Sequence, residues 1–169
     1  TIGDTSTTAT ISLSGTDDPT VAGTLDVDSG DTLAIESSRT VTHSGATLTL
    51  DGPINGPGRL TYQSGTAFPT TGALGSSLVL RFDTTTNNQS MGARTDYPNV
   101  EIYSADFVTG KTVTMGTAGS QTITIVGNLS VTDSGSGVTL TSVTNDPTVN
   151  ISGNITACTA INDAIYAGD

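Results

Sequence analysis

Short runs in which every second residue is apolar recur along this chain at a nearly constant interval. Thr24 to Val27, Thr32 to Ile35, Thr40 to His43 and Thr47 to Leu50 begin seven or eight residues apart, and Arg59 to Tyr62 follows. After a gap the pattern resumes at Ser77 to Phe82, Val100 to Tyr103, Lys111 to Met115, Gln121 to Val126, Asn128 to Val131, Val138 to Thr141 and Thr148 to Ile151. Alternation with period two marks half-buried strands, and even spacing of many short strands restricts the fold to a sandwich, a barrel or a β-solenoid. Composition points the same way. The 34 threonines, 18 serines and 20 glycines make up 72 of 169 residues, and threonine favours strands while serine and glycine oppose helix interiors. The chain is therefore expected to be all-β.

Turn chemistry separates the architectures. Tight antiparallel hairpins favour two-residue Asn-Gly or Asp-Gly loops. Here most connectors are four residues long, such as Asp28-Ser29-Gly30-Asp31 and His43-Ser44-Gly45-Ala46, and the pairs Asp51-Gly52 and Asn55-Gly56 run straight into Pro53 and Pro57. Proline cannot donate to a ladder, which weakens the hairpin reading. Three runs at eight-residue spacing make a coil of roughly two dozen residues, the size of one three-sided turn of a parallel β-helix. The expected fold is a right-handed parallel β-helix or solenoid, with an antiparallel β-sandwich using donor-strand exchange as the alternative. The expected organisation is an N-terminal strand or arm over residues 1–16, a solenoid over 17–156, and a cap over 157–169. In that last segment Ala160, Ile161, Ala164 and Ile165 stand at helical spacing, so a short capping helix is expected there.

Several rungs carry a family resemblance. Ile54-Asn55-Gly56-Pro57-Gly58-Arg59-Leu60-Thr61 resembles the I-x-G-x-G-x-L-T rung of right-handed β-helix surface proteins, the adhesins and autotransporter-type passengers of microbial envelopes. Leu78-Val79-Leu80-Arg81-Phe82, Tyr97-Pro98-Asn99-Val100-Glu101-Ile102 and Thr124-Ile125-Val126-Gly127-Asn128-Leu129-Ser130-Val131 are similar, in that order, to a V-x-F, Y-x-N-L, V-x-G-N-L-x-V succession in such proteins, and Gly153-Asn154 echoes Gly127-Asn128. The resemblance spans about residues 22 to 156. It implies architecture and an extracellular, cell-surface setting, and specifies no activity. Glycine and asparagine suit solenoid corners, where glycine tolerates left-handed backbone and asparagine can stack or bond the main chain.

Charge narrows the partners. Sixteen acids against five bases give a formal net charge of -11, and Lys111 is the only lysine. Such a surface repels phosphate backbones and anionic membranes, so nucleic acid is not expected as a partner, and no apolar run is long enough for a helical membrane insertion. The chain begins at Thr1, as a processed or excised segment would. The single Cys158 supplies neither an internal disulfide nor a thiolate metal site.

Candidate chemistry is sparse. His43, the only histidine, has no companion set for nucleophilic catalysis, and is read as a turn-flanking residue. Arg81, Asp83, Arg94, Asp96 and Glu101 are the best local group of charges, with the Thr84 to Gly92 loop able to bring them together. A structural salt bridge closing that loop outweighs a sugar-cleaving site, and no catalytic residue or enzymatic activity is expected. Asp26, Asp28 and Asp31 around Gly30 form the oxygen-rich kind of loop that calcium accepts; a solvated strand face followed by a turn accounts for the same residues and is preferred, so no cofactor is required. Recurring Thr-x-Thr pairs, such as Thr40/Thr42 and Thr112/Thr114, read as cross-strand ladders in preference to an ice-templating array. Asn88, Asn128, Asn150 and Asn154 begin Asn-x-Ser/Thr acceptor sequences for N-glycosylation.

The expected function is a non-enzymatic extracellular structural protein: a subunit or segment of a filament, surface layer or adhesin stalk. Homo-oligomers or polymers would form through end-to-end or donor-strand contacts made by Ala9, Ile11, Leu13, Ile161 and Ile165, with surface glycans as further partners. The alternative is a carbohydrate-binding or carbohydrate-cleaving β-helix module.

Overall fold

A computed structural model describes residues 9–13, 15–16, 18–105, 111–133, 138–142, 146–157 and 164–166. All of its strand pairs are parallel, and the strands stack as a β-solenoid of about six turns. The first coil runs through β1 (Thr10–Leu13), β2 (Thr20–Val21) and β3 (Leu25–Val27), and the second through β4 (Thr32–Ile35), β5 (Thr40–His43) and β6 (Leu48–Leu50). There follow β7 (Ile54–Asn55), β8 (Arg59–Tyr62), β9 (Val79–Asp83), β10 (Gln89–Met91), β11 (Asn99–Ser104), β12 (Lys111–Met115), β13 (Thr122–Ile125), β14 (Leu129–Asp133), β15 (Val138–Thr141), β16 (Thr148–Ile151), β17 (Ile155–Ala157) and β18 (Ala164–Tyr166). No antiparallel pairing occurs among them, which removes the sandwich alternative. Thr10–Leu13 lies in register on β4, so the described part of the expected arm is the first rung of the solenoid. Ala164–Tyr166 departs from the expected capping helix. It is a strand laid on β15, where its backbone groups gain ladder partners that a helix would leave unmet on β15. Ala160 and Ile161 lie outside the described residues.

One sheet runs the length of the molecule, in the order β2-β5-β8-β9-β11-β14-β17. Its register makes columns. Val41, Leu60, Leu80, Val100, Leu129 and Ile155 stand one above another, as do Val21, His43, Tyr62, Phe82, Ile102 and Val131. Both columns point inward, and apart from the ends their members are buried. The second contains much of an aromatic stack: His43 lies nearly parallel to Tyr62 at 5.9 Å between ring centroids, while Tyr62 meets Phe68 and Phe82 edge-on at 5.2 and 6.0 Å. Such edge-to-face pairs add to the area they bury. Threonines form the expected in-register ladders, Thr20-Thr42-Thr61 on the continuous sheet and Thr112-Thr139 and Thr114-Thr141 on another. The first gives way to Arg81, so no uniform hydroxyl face covers the molecule.

The other two faces are each interrupted. The sheets β1-β4-β7 and β3-β6 serve the N-terminal coils, whereas β10-β12-β15-β18 and β13-β16 serve the C-terminal ones. On the continuous sheet residues that meet on successive coils are 19 to 22 apart in sequence as far as β11, and 26 to 29 apart beyond it. The other two faces break earlier, in the stretch after β8 where the sequence rhythm has its gap. Arg94, 4% exposed, reaches across to carbonyls there. Its guanidinium donates to the carbonyls of Pro69 (3.0 Å), Thr71 (2.6 Å) and Gly72, and pairs bidentately with Asp96, whose Oδ2 also accepts from the Leu74 N–H at 3.2 Å. Gln89 does similar service beside it, donating from Nε2 to the Tyr62 and Ser64 carbonyls. Arg94→Met removes the donors and leaves several buried carbonyls unsatisfied. It is expected to cost about 2–4 kcal/mol in urea unfolding, with Arg94→Lys recovering only part because an ammonium lacks the planar fork.

Candidate functional site

The outer face of the continuous sheet holds the densest set of functional groups. Each strand enters this sheet from a corner, and the corner residues stack: Thr40, Arg59, Val79, Asn99, Asn128 and Asn154 occupy one register column. Two residues further along, Thr61, Arg81, Glu101, Ser130 and Thr156 form the next outward column. Alternation puts both on the side opposite the core.

Three asparagines of the first column bond up the stack. Asn99 Oδ1 accepts from the Asn128 N–H at 3.1 Å, and Asn128 Oδ1 from the Asn154 N–H at 2.9 Å. The glycines before the last two are required by space: a Cβ on Gly127 would lie 2.7 Å from Asn99 Oδ1 and 2.9 Å from its backbone nitrogen. The Gly-Asn steps are thus corner devices, as the sequence suggested. Asn99, after a proline, belongs to the same ladder.

In the second column Arg81 makes a bidentate pair with Glu101, both bonds 2.9 Å, with its guanidinium carbon 4.4 Å from the Tyr103 ring centroid. Arg59 approaches the same carboxylate from the neighbouring column, Nη2 lying 3.4 Å from Glu101 Oε2. Arg39, whose carbonyl accepts the Arg59 N–H, stands at the sheet's N-terminal side and pairs with Asp18 at 3.6 Å. Along the columns lie two shallow hollows, of about 150 and 480 Å³, whose linings share Arg59 and Val79.

The five charges grouped in the sequence do not form one site. Arg81 and Glu101 pair here. Arg94 and Asp96 hold the fault described above, and Asp83 accepts from Gln63 Nε2 at 2.9 Å and from the Thr85 N–H and hydroxyl. The expected Thr84 to Gly92 loop contains strand β10, so it separates these groups. Arg39, Arg59 and Asn99 were not singled out as site residues. Aligning Gly58-Arg59-Leu60, Pro98-Asn99-Val100, Gly127-Asn128-Leu129 and Gly153-Asn154-Ile155 as equivalent rungs places Arg59 and Asn99 in one column, while Arg39 stands one residue before its member Thr40.

No three His, Cys, Asp or Glu among the described residues are grouped to hold a metal ion, and the Asp26, Asp28, Asp31 turn is included in that finding. Asp26 alternates outward between buried Leu25 and Val27, and the Asp28 carbonyl closes the turn by accepting the Asp31 N–H. Asp31 is fully buried, and its Oδ1 accepts the Ala9 N–H at 2.6 Å, which ties the first rung to the second. Of the glycosylation candidates, Asn128 and Asn154 stand in the ladder, Asn88 is exposed with its Oδ1 accepting the Thr112 N–H, and Asn150 is exposed on β16.

No protein-family model matches the chain, and no curated protein or solved structure matches it either. Of the expected resemblance, the structure bears out the parallel β-solenoid fold.

His43 flanks the turn after β5, as expected, but from inside the core. It is fully buried at the end of β5 on the aromatic stack, and with Nε2 2.9 Å from the Thr47 carbonyl, the neutral ring donates there while Nδ1 has no partner. Burial lowers its pKa from the ordinary 6.5, outweighing the backbone hydrogen bonds. The unfolded chain therefore takes up a proton at a pH where the native ring stays neutral. The resulting stability is present in full above 6.5 and is lost as pH falls below it, by at most about 1.4 kcal/mol per pH unit. Urea midpoints measured from pH 7 to 5.5 should fall for the wild type and stay level for His43→Gln.

Proposed function

We propose that this chain is a non-enzymatic structural protein of an extracellular surface, a subunit or segment of a filament, surface layer or adhesin stalk, in which the end of one solenoid seats on the end of another. One observation carries the reading: the hydrophobic columns run out at both ends without a polar cover among the described residues. At the N-terminal end Ile11 tops the column of Leu33, Ile54 and Leu74 and is 40% exposed. It borders an open hollow of about 280 Å³ lined by Leu13, Val21, Leu25 and Leu33. At the other end Ile155 continues the column of Leu129 yet is 56% exposed.

Strands β1, β2 and β3 close the sheets at one end, and β16, β17 and β18 at the other. Each has one side of its backbone without a described neighbour. An unpaired parallel edge above an open apolar core is a template for another rung, and a contact between unlike ends propagates in place of closing. Of the expected assembly residues, Ala9, Ile11 and Leu13 lie on the first rung and Ile165 pairs through its backbone with Leu140, while Ile161 lies outside the described residues. The net charge of -11 and the four Asn-x-Ser/Thr acceptor sequences suit an extracellular setting.

Sedimentation velocity and negative-stain microscopy test the proposal. The wild type is expected to form concentration-dependent oligomers or filaments. Ile11→Asp, which places a charge on the open end, should reduce these to monomers with a melting temperature within a few degrees of the wild-type monomer. A wild type that stays monomeric at high concentration would overturn the reading.

A further inference from the structure

Two aspartyl-prolyl bonds occur in the chain, Asp18–Pro19 and Asp146–Pro147, each opening a run Asp-Pro-Thr-Val. The fold treats them differently. Asp18 is braced: its Oδ1 accepts the Thr40 N–H at 2.9 Å, Arg39 pairs with it at 3.6 Å, and its backbone lies outside the left-handed region. Asp146 lies inside that region, with φ of 43°. A residue before proline is pushed towards extended backbone, and aspartate is tolerated in the left-handed region chiefly where its short side chain bonds the local main chain. Among the described residues nothing bonds the side chain of the exposed Asp146, so the conformation is imposed from its two flanks. The Asp146 N–H donates to the Ser142 carbonyl at 2.9 Å; Pro147 is buried beside Gly116, where an added Cβ would meet its ring at 3.3 Å, and the Thr148 N–H donates to the Gln121 carbonyl at 2.8 Å. Ser38 and Ser120, the other described non-glycine residues with positive φ, precede no proline.

We infer that Asp146–Pro147 is a self-processing site, a peptide bond that the fold presents for hydrolysis by the side chain of Asp146 itself. An oxygen of the Asp146 carboxylate adds to the residue's own main-chain carbonyl carbon and closes a five-membered anhydride. The C–N bond to Pro147 breaks, and the prolyl nitrogen takes a proton from solvent and leaves as a secondary amine. Water then opens the anhydride into two carboxyl groups, so one water is consumed for one peptide bond and nothing is oxidised or reduced. Proline favours this route twice: its nitrogen is a more basic leaving group than that of other residues, and without an N–H it cannot attack the side chain to form the competing imide. Because the leaving nitrogen must be protonated, mild acid drives the reaction. Scission frees the backbone from its left-handed turn, so strain held in the intact bond lowers the barrier. The cut separates residues 147–169, which contain β16, β17 and β18, one rung on each face. The last coil is then held by its ladders to β13, β14 and β15 and by no covalent link. The reaction takes place within one chain, so this inference goes beyond end-to-end assembly and does not depend on it.

The test is incubation of the full wild-type chain at about pH 5, native and in urea, with the products weighed by mass spectrometry. From the native chain, fragments 1–146 and 147–169 are expected, their masses together exceeding the parent's by one water, at a rate independent of protein concentration. Native cleavage at Asp146–Pro147 should outpace that at Asp18–Pro19 by at least about tenfold, the factor that about 1.4 kcal/mol of released strain gives, and should be no slower than in urea. In urea, where neither turn persists, the two bonds should break at similar rates. This comparison within the wild type requires no variant to fold. Asp146→Asn removes the nucleophile and should abolish native cleavage, while Asp146→Glu, which keeps the charge but must close a six-membered ring, should slow it by about tenfold. An uncut native chain, equal native rates at the two bonds, a native rate at Asp146–Pro147 below that in urea, or cleavage undiminished in Asp146→Asn would each overturn the inference.

Discussion

In-register parallel stacking is the constraint on which the rest of this molecule depends. Each backbone N–H and C=O in a rung finds its partner one coil away, so a residue sits on the residue that held its place in the previous turn. A small chain with few aromatics and low hydrophobic content gains a core this way because stacking gathers scattered Val, Ile and Leu into continuous columns. Leu60 need only be apolar and of suitable size, since Val41 below and Leu80 above complete its surroundings. The core is therefore built by neighbours in space that are about twenty residues apart in sequence.

The cost of that arrangement appears after β8, where the coil keeps its length but two of its three faces lose their strand pairing while the third continues. The sheet from β2 to β17 carries continuity through the fault, and Arg94 supplies with one planar guanidinium the donors that missing strands would have supplied. A buried cation in a position of this kind is retained because carbonyls surround it, and its charge is matched by Asp96. Its location is also why it has no part in a catalytic group with Arg81 and Glu101, near as these are in sequence.

Much of the fold was legible because strand alternation is a local signal. Thr32–Ile35, Thr40–His43, Arg59–Tyr62, Lys111–Met115, Val138–Thr141 and Thr148–Ile151 stand where the alternating runs place them. The missed strands are short or break the pattern. Thr20–Val21 and Ile54–Asn55 have two residues each, and Gln89–Met91 buries a glutamine that works as a clamp. At the C-terminus Ala164, Ile165 and Tyr166 lack a local preference strong enough to overrule an open sheet edge, so tertiary pairing decides. The candidate site was less legible than the fold. Charges adjacent in sequence suggested one cluster, but in a solenoid adjacency is set by register, and Arg59, Asn99 and Asn128 meet only once the rungs are aligned. His43 shows the same effect inward: the sequence places it beside a turn, and register stacks it on Tyr62 within the core.

The inward and outward columns are two products of one repeat, and they lead to different kinds of surface. An inward column cannot end gracefully, because its last member, Ile11 or Ile155, has the surroundings of a core residue on one side and none on the other. An outward column has no such difficulty at its ends; its consequence is lateral, a line of like groups at the strand spacing. Where the line is threonine it stiffens the sheet. Where it passes from Arg59 through Val79 to Asn99, Asn128 and Asn154 it lines a shallow groove, and the asparagines bond each rung to the next. The same repeat thus leaves open apolar columns at its ends and, along its flank, polar groups that hold the rungs in register.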